Sequence, residues 1–141
     1  MTQQLFTSNL VAHTFRLNPG QDLKRELLKY AQNQGLRASA IVSSVGSLET
    51  CLLRMASAAQ NKSFPGPLEI VSLTGTLSSE GVHMHISVSD DEGRVWGGHL
   101  LDGCTIHTTA EIVLVELVEL EFKREMDATT GYKELQIFSR K

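Results

Sequence analysis

The pattern of apolar and polar positions changes at residue 36, and beyond it apolar segments separated by turn residues predict β-strands. Val, Ile, Thr, Ser and Leu dominate here, and glycines fall at intervals suited to turns. The segment 56–67, with Pro65, Gly66 and Pro67, is predicted to be a mobile loop. The segment 105–121 could also form a helix, but its β-branched residues favour a long strand. The predicted strands span 10–17, 36–45, 48–57, 68–78, 82–90, 94–101, 105–121 and 134–139.

One segment follows a helical period instead. Apolar residues recur at helical spacing from Leu23 to Ala31, and Gly35 ends the pattern. Asn18 is the predicted N-cap, with Pro19 at the first helical position. Many strands with short turns and a single helix predict an α+β fold, a largely antiparallel β-sheet with one main α-helix packed on it as a two-layer sandwich. Because one helix covers only one face of the sheet, oligomerisation is the simplest way to cover the other.

The composition indicates one globular domain over residues 1–141. Of the 141 residues, 41% are hydrophobic and 21% charged, which is enough apolar surface to form a core. The formal net charge of −3 is spread along the chain, so the sequence offers no broad electrostatic attraction to nucleic acid or anionic membrane. Cys51 and Cys104 are too far apart for a CxxC metal or redox motif and are expected in the core.

No segment has the roughly 20 consecutive apolar residues of a membrane-spanning helix. The most apolar run, 112–122, is interrupted by Glu116, Glu119 and Glu121. The N-terminal residues lack the basic start and continuous apolar stretch of a secretion signal. A cytoplasmic location without membrane association is therefore the expectation.

The segment 82–101 carries the strongest indication of chemistry. Its first half alternates without a break, which predicts a strand with one apolar and one polar face. Two histidines project together from the polar face, about 6.6 Å apart at a rise of about 3.3 Å per residue. The apolar face holds Val82, Met84, Ile86 and Val88, and the polar face holds His83, His85, Ser87 and Ser89.

The turn that follows decides which residues lie opposite these histidines. Residues 91–93 fit a three-residue hairpin loop with Gly93 in the left-handed conformation. A loop of two or four residues would turn His99 to the apolar face, so the register is a sharp prediction. The predicted pairs are Asp90 with Arg94, Val88 with Trp96, His85 with His99 and Met84 with Leu100.

Three neutral imidazoles on adjacent strands, those of His83, His85 and His99, form a recognised zinc-binding arrangement with a fourth position open to water. Zinc, or another divalent metal, is the predicted cofactor. Gly97 has no side chain beside His99, which leaves room for a small ligand or solvent above the ion. The alternatives are histidines that simply lie on a polar face or line a metal-free subunit interface.

Glu111, Glu69 and Arg54 are weaker candidates. If the strand of Glu111 lies beside His99, this carboxylate could orient a ligating histidine or take a proton from bound water. A surface carboxylate in a sheet is the alternative. Glu69 and Arg54 each interrupt an apolar strand, so they would either form a buried ion pair or line a pocket.

These segments together resemble the plant-and-prokaryote conserved (PPC) domain of bacterial and archaeal single-domain proteins and of plant AT-hook nuclear proteins. The resemblance implies an antiparallel sheet with a packed helix, assembled as a homotrimer. It also implies that the histidines of prokaryotic members are matched here by His83, His85 and His99, with zinc as the leading ion. The shared segments, in the family's order over about residues 16–135, are RLNPGQDL, SVGSL, GPLEIVSLTG, HMHISVSDDEGRVWGGHLLDG, TTAEIVL and TGYKEL.

The resemblance does not extend to the plant proteins' partners. Plant members bind AT-rich DNA through separate hooks built around Arg-Gly-Arg-Pro, and this sequence contains no such hook. A DNA-binding label would therefore come from the family only, without a visible physical basis. Plant domains also associate through the segment matched by 66–75, where they usually have Arg and Phe before the glutamate. This chain has Pro67 and Leu68 there, which argues against the same partner specificity.

Two functions follow from these observations. The first is a non-catalytic oligomeric module that binds a metal or small ligand through the three histidines and contacts partner proteins in a regulatory role. The second is a metal-dependent enzyme of the hydrolase type acting on a small polar substrate, with Glu111 or Glu69 as the base. The sequence contains no catalytic nucleophile motif, and this favours the first.

Overall fold

The computed structural model describes residues 4–140. Over this range the chain forms one α-helix, and every strand pairing is antiparallel. The predicted α+β fold, a mostly antiparallel sheet with a single helix, is confirmed. No helix in this range is long and apolar enough to cross a membrane. The elements are β1 (Leu10–Leu17), α1 (Leu23–Asn33), β2 (Ser39–Arg54), a 3₁₀ helix (Ala56–Ala58), β3 (Asn61–Ser78), β4 (Gly81–Ser89), β5 (Val95–Leu100), β6 (Thr105–Leu117), β7 (Leu120–Met126) and β8 (Lys133–Ser139).

Six strands form the main sheet, in the order β1, β6, β2, β3, β4, β5. β5 also pairs with β2, with Leu100 opposite Leu53 and His99 opposite Arg54. The strands from β2 to β5 therefore close on themselves at one end, which removes the free edge of β5 there. This closure places the end of β2 directly beside the histidine of β5.

The helix and the sheet share one leucine-rich core. The helix α1 buries Leu23, Leu27 and Ala31 completely, and each buried leucine contributes about 1.5–3 kcal/mol. Cys51 and Cys104 lie in the same core as free thiols, with their Sγ atoms 3.8 Å apart. The sequence-based placement of both cysteines is therefore confirmed.

The helix begins later than predicted, and its N-cap is Asp22 rather than Asn18. The Asp22 carboxylate accepts a hydrogen bond from the Arg25 amide at 3.0 Å. Asn18 instead begins a turn, in which its amide donates to the Gln21 side chain at 2.6 Å. The Asp22 carboxylate also accepts from the Gly103 amide at 2.6 Å. The real cap thus ties the start of the helix to the chain segment that follows β5.

The larger differences from the predicted strands lie in β2, in β3 and after β6. The predicted strands 36–45 and 48–57 are largely replaced by the single strand β2, which spans only Ser39–Arg54 and shifts register at bulges. The predicted loop 56–67 shrinks to the 3₁₀ helix and its turn, because β3 already begins at Asn61. The predicted strand 105–121 ends at Leu117, and the chain turns at 118–119 before β7 begins. The strand β7 was not predicted beyond its first two residues.

Strands β7 and β8 form a separate hairpin. They pair from Leu120 opposite Ser139 to Met126 opposite Lys133. A small core that contains Phe122 joins this β7–β8 hairpin to the rest of the chain. The hairpin lies against the main sheet, where Arg124 of β7 reaches Thr76 of β3 and His83 of β4.

Candidate metal centre

The turn between β4 and β5 sets the register that its sequence predicts. Gly93 adopts a left-handed φ of 77°, and the Asp90 amide donates to the Arg94 carbonyl at 3.1 Å. The Asp90 carboxylate accepts hydrogen bonds from the Arg94 amide at 2.9 Å and from Arg94 Nε at 2.8 Å. These bonds fix the turn on both sides. The pairs His85–His99 and Val88–Trp96 confirm the predicted register.

The two faces of this β4–β5 hairpin differ in burial. Met84, Ile86 and Val88 are at most 2% exposed and belong to the core, whereas the histidines on the opposite face stay partly exposed. The pairing of the two strands ends at His99. Leu100, predicted opposite Met84, pairs with β2 instead.

His83, His85 and His99 meet on the face that points away from the core. The centroid of the His83 ring lies 5.1 Å from those of the other two rings, and the remaining pair is 5.6 Å apart. One ligand nitrogen of each ring lies within 4.8 Å of the others. Within the described chain, Nδ1 of His99 is buried without a hydrogen-bond partner, which is costly unless a ligand satisfies it. The donor set of this histidine cluster therefore fits zinc or a similar divalent ion.

The surroundings of the cluster keep two of its histidines neutral. Burial, reinforced by the positive charge of Arg54, lowers the pKa of His99 to about 4. Burial also lowers the pKa of His83, and the nearby charges of Arg124 and His85 act in the same direction. A neutral imidazole has a free lone pair, so at neutral pH these groups can bind a cation without first releasing a proton.

The histidine cluster opens into a cleft of about 920 Å³. A cleft of this size can hold a small molecule in addition to an ion. Gly97 and Gly98 line it without side chains, which leaves space beside His99. Met55, the 3₁₀ helix and Val82 form part of the remaining wall. Charged and polar residues from the end of β2, the turn before β4 and the β7–β8 hairpin form much of the rest, including Arg54, Glu80, Arg124, Tyr132, Lys133 and Glu134.

Neither Glu111 nor Glu69 lies at the cluster. Glu111 is exposed on β6 opposite Val45 of β2, and β6 lies between β1 and β2 rather than beside β5. The condition for Glu111 to act on a histidine, a strand beside His99, is therefore not met. Glu69 is exposed on β3 and does not line the cleft. Arg54 does line the cleft. Of the two sequence-based interpretations, a buried ion pair with Glu69 or a pocket-lining residue, the second therefore applies to Arg54.

Arg124 is a cleft residue that the sequence pattern did not single out. Its Nη1 lies 3.4 Å from Nδ1 of His83, and its Nη2 donates to Thr76 Oγ1 at 2.7 Å. Arg124 stands in the charged stretch KRE, which resembles a solvated surface. The signal that could have found it is the two-residue period of β7, which places Arg124 on the same face as the buried Leu120 and Phe122.

The sequence profile of the Plants and Prokaryotes Conserved (PCC) domain matches residues 6–118. The chain belongs to this family. It is the PPC family that the segments of the chain resemble, and the matched residues contain the whole main sheet and the histidine cluster. The β7–β8 hairpin, which begins at Leu120, lies beyond the match.

Curated relatives of this PPC chain include much longer proteins. It is 48% identical over 135 residues to the bifunctional protein GlmU of Synechococcus sp. (strain JA-3-3Ab), covering 96% of the chain and 22% of that protein. The AT-hook motif nuclear-localized protein 6 of Arabidopsis thaliana is 30% identical over 102 residues, covering 66% of the chain and 25% of that protein. The chain thus spans about a quarter or less of the length of these relatives.

Solved structures share the whole architecture. A hypothetical protein from Salmonella cholerae-suis superposes with a TM-score of 0.94 at 41% identity, covering 96% of this chain and 99% of that one. A PPC protein from Pyrococcus horikoshii gives a TM-score of 0.74 at 27% identity, covering 96% and 97% of the two chains. A metal-containing protein from Archaeoglobus fulgidus gives 0.82 at 24% identity, with coverage of 95% and 99%.

Proposed function

We propose that this PPC protein is a metal-binding module that holds one divalent ion, zinc, through His83, His85 and His99. The observation that carries the proposal is the buried, unpartnered Nδ1 of His99 in a cluster whose ligand atoms lie within 4.8 Å of one another. The lowered pKa values of His83 and His99 support it, because both rings are neutral at physiological pH. The metal-containing Archaeoglobus fulgidus protein has the same fold, so metal binding is compatible with this architecture.

Bound zinc would act as a Lewis acid with a coordination position left for a ligand. The cleft beside that position would admit a small molecule or the side chain of a partner protein. The regulatory role that we propose is that ligand binding in this cleft changes the contacts of the module with partner proteins.

The direct test is elemental analysis of protein purified without added metal and then dialysed against zinc. Wild-type protein should contain about one zinc ion per chain, and the H83A/H85A/H99A variant should contain none. His107→Ala is the matched control, because His107 is exposed on β6 and outside the cleft. Stoichiometric zinc in the triple variant would contradict the site.

We also propose that the protein assembles as a homotrimer, as the resemblance to the family implies. Two exposed valines on neighbouring strands support a subunit interface. Val45 of β2 and Val71 of β3 are 59% and 55% exposed. They lie side by side, because each is two residues from the antiparallel pair Ser47–Glu69 in the same direction along the sheet. Light scattering should give about three times the 15.5 kDa chain mass. The V45E/V71E variant should give a smaller mass, whereas Met126→Glu, on the β7–β8 hairpin, should not. A monomeric wild-type protein would contradict the proposal.

A metal-dependent enzyme is the second candidate, favoured by carboxylates inside the cleft. Glu80 and Glu134 line it with the histidines, so either could accept a proton during hydrolysis. Zinc-loaded protein should then hydrolyse a member of a panel of small phosphate and carboxylate esters. Chelation of the zinc and Glu134→Gln should each reduce that turnover. Equal rates for the wild-type protein and the H83A/H85A/H99A variant would rule this candidate out for the panel.

A further inference from the structure

Two arginines flank the histidine cluster. Arg54 lies directly opposite His99 in the pairing of β2 with β5. Arg124 reaches the other side from the β7–β8 hairpin, with Nη1 3.4 Å from Nδ1 of His83. The cleft wall thus presents two guanidinium groups beside the position where a metal would bind.

These guanidinium groups lack a close counter-charge. Among residues 4–140, no carboxylate lies within 4.0 Å of Arg54 or Arg124. Glu134 shares the cleft, and its charge opposes the lowering of the Arg124 pKa by burial, but its Oε1 accepts a hydrogen bond from the Thr130 hydroxyl at 2.9 Å. Both arginines are partly buried, and the side-chain contacts of Arg124 are with Thr76 and His83 rather than with an anion. A desolvated cation without a paired anion is unfavourable. The cluster itself adds no negative charge, because its ligands are imidazoles.

We propose that the cleft binds a small molecule through an oxyanion group, a carboxylate or a phosphate, held between the metal and the guanidinium groups of Arg54 and Arg124. Guanidinium recognises both anions through paired, charge-assisted hydrogen bonds. An oxyanion would also fill the coordination position that three histidines leave open. The inference rests on the proposed metal site, which it deepens by naming the class of ligand.

Part of the proposed oxyanion site lies on the β7–β8 hairpin, outside the residues that the family profile matches. The match ends at residue 118, whereas Arg124, Tyr132, Lys133 and Glu134 all come from the hairpin and its turn. The core sheet therefore supplies the metal ligands and Arg54, and the hairpin supplies the second guanidinium and much of the remaining polar wall. Oxyanion affinity should accordingly depend on the hairpin, while metal affinity should not.

The test is calorimetric titration of the zinc-loaded protein with inorganic phosphate and, separately, with malonate, at constant ionic strength in chloride. Saturable binding of at least one anion is expected. Arg124→Gln should weaken that binding by about tenfold or more, the loss expected for a hydrogen bond to a charged group. The matched control is Lys123→Gln, since Lys123 is next in sequence but contacts Glu121 and the Phe138 ring outside the cleft. Its binding should stay within about twofold of wild type.

Zinc content and thermal unfolding are measured on the same samples. Arg54→Gln gives an independent variant if Arg124→Gln folds poorly. Tighter binding of phosphate or of malonate identifies the oxyanion, and either result supports the proposal if the arginine variants weaken it. Full zinc content with no saturable anion binding, or with binding that both arginine variants leave unchanged, overturns the inference but not the metal site. Absence of zinc from wild-type protein overturns both.

Discussion

The two faces of the β4–β5 hairpin have the same backbone, the same turn and opposite roles. On one face Met84 and Ile86 are at most 2% exposed and pack in the core. On the other, His83 and His85 extend into the cleft. Under the proposed function, neighbouring residues along one strand therefore alternate between packing in the core and binding a ligand. Substitutions on the apolar face should therefore lower the free energy of unfolding, and substitutions on the histidine face should lower metal affinity.

The apolar face should give the largest effect on stability. Ile86→Ala removes a fully buried side chain that packs in the main core, and should lower the free energy of unfolding by about 2–5 kcal/mol. Urea unfolding followed by circular dichroism measures the change. Ser87→Ala, the next residue on the other face, is the control and should stay within about 0.5 kcal/mol of wild type. Equal losses for both variants would remove the distinction between the faces.

The histidine face should show the reverse behaviour. His85 is the most exposed of the three histidines, so His85→Ala should leave the unfolding free energy of the metal-free protein within about 0.5 kcal/mol of wild type. Zinc affinity, measured by competition with a chelating dye, should fall by at least about 100-fold, the upper end of the loss for a partner of a metal ligand. Unchanged affinity would show that His85 is not a ligand.

Gly98 tests both faces at once, because it packs against β2 where β2 pairs with β5 beside His99. A Cβ at this position would lie 2.8 Å from the Arg54 carbonyl oxygen and 3.3 Å from the Leu53 Cβ. Gly98→Ala should therefore push β5 from β2 and cost about 1–3 kcal/mol of stability, with weaker zinc binding because His99 moves. Gly81→Ala is the control, since no atom lies within 4 Å of its added Cβ. Normal zinc affinity in Gly98→Ala would show that the β2–β5 contact does not position the site.

The sequence-based prediction succeeded where short-range physics decides the structure. The histidine register followed from one turn, because a three-residue loop ending in Gly93 allows a single pairing of the flanking strands. The alternation likewise placed Met84, Ile86 and Val88 in the core and His83 and His85 in the cleft. Val82 is the exception, because it is only partly buried and lines the cleft. Both signals lie within a few residues of the features they predict.

The sequence-based prediction failed where contacts with residues distant in sequence determine the local structure. Pro65 and Pro67 indicated a loop, yet this segment pairs with β2, and Gly66 permits an approach in which a Cβ would lie 2.5 Å from two carbonyl oxygens of that strand. Asn18 had the local signature of a cap, but Asp22 also binds the distant Gly103 amide. The period of β7 places Arg124 on the inward face of its strand, but its position in the cleft beside His83 depends on how the β7–β8 hairpin folds back, which is a contact between residues distant in sequence.

The smallest effect concerns the segment after β5, where Asp102 connects the hairpin to the helix. Its carboxylate accepts a hydrogen bond from Arg25 Nε at 3.0 Å and lies 3.5 Å from Lys24 Nζ. The Arg25 hydrogen bond holds the pKa of Asp102 below its ordinary value. The resulting stabilisation is present above the unfolded-state pKa of about 3.9 and is lost as pH falls through the lower, folded-state value.

Because Asp102 is 49% exposed, Asp102→Asn should cost less than about 1 kcal/mol at pH 7. Unfolding titrations at several pH values should show the difference between wild type and variant shrinking below about pH 4 and disappearing in stronger acid. Neither face of the hairpin contains this carboxylate, so zinc affinity at pH 7 should not change. A difference that persists in strong acid would mean that the charge on Asp102 is not the source of its contribution, and that the side chain acts by packing or by neutral hydrogen bonds instead.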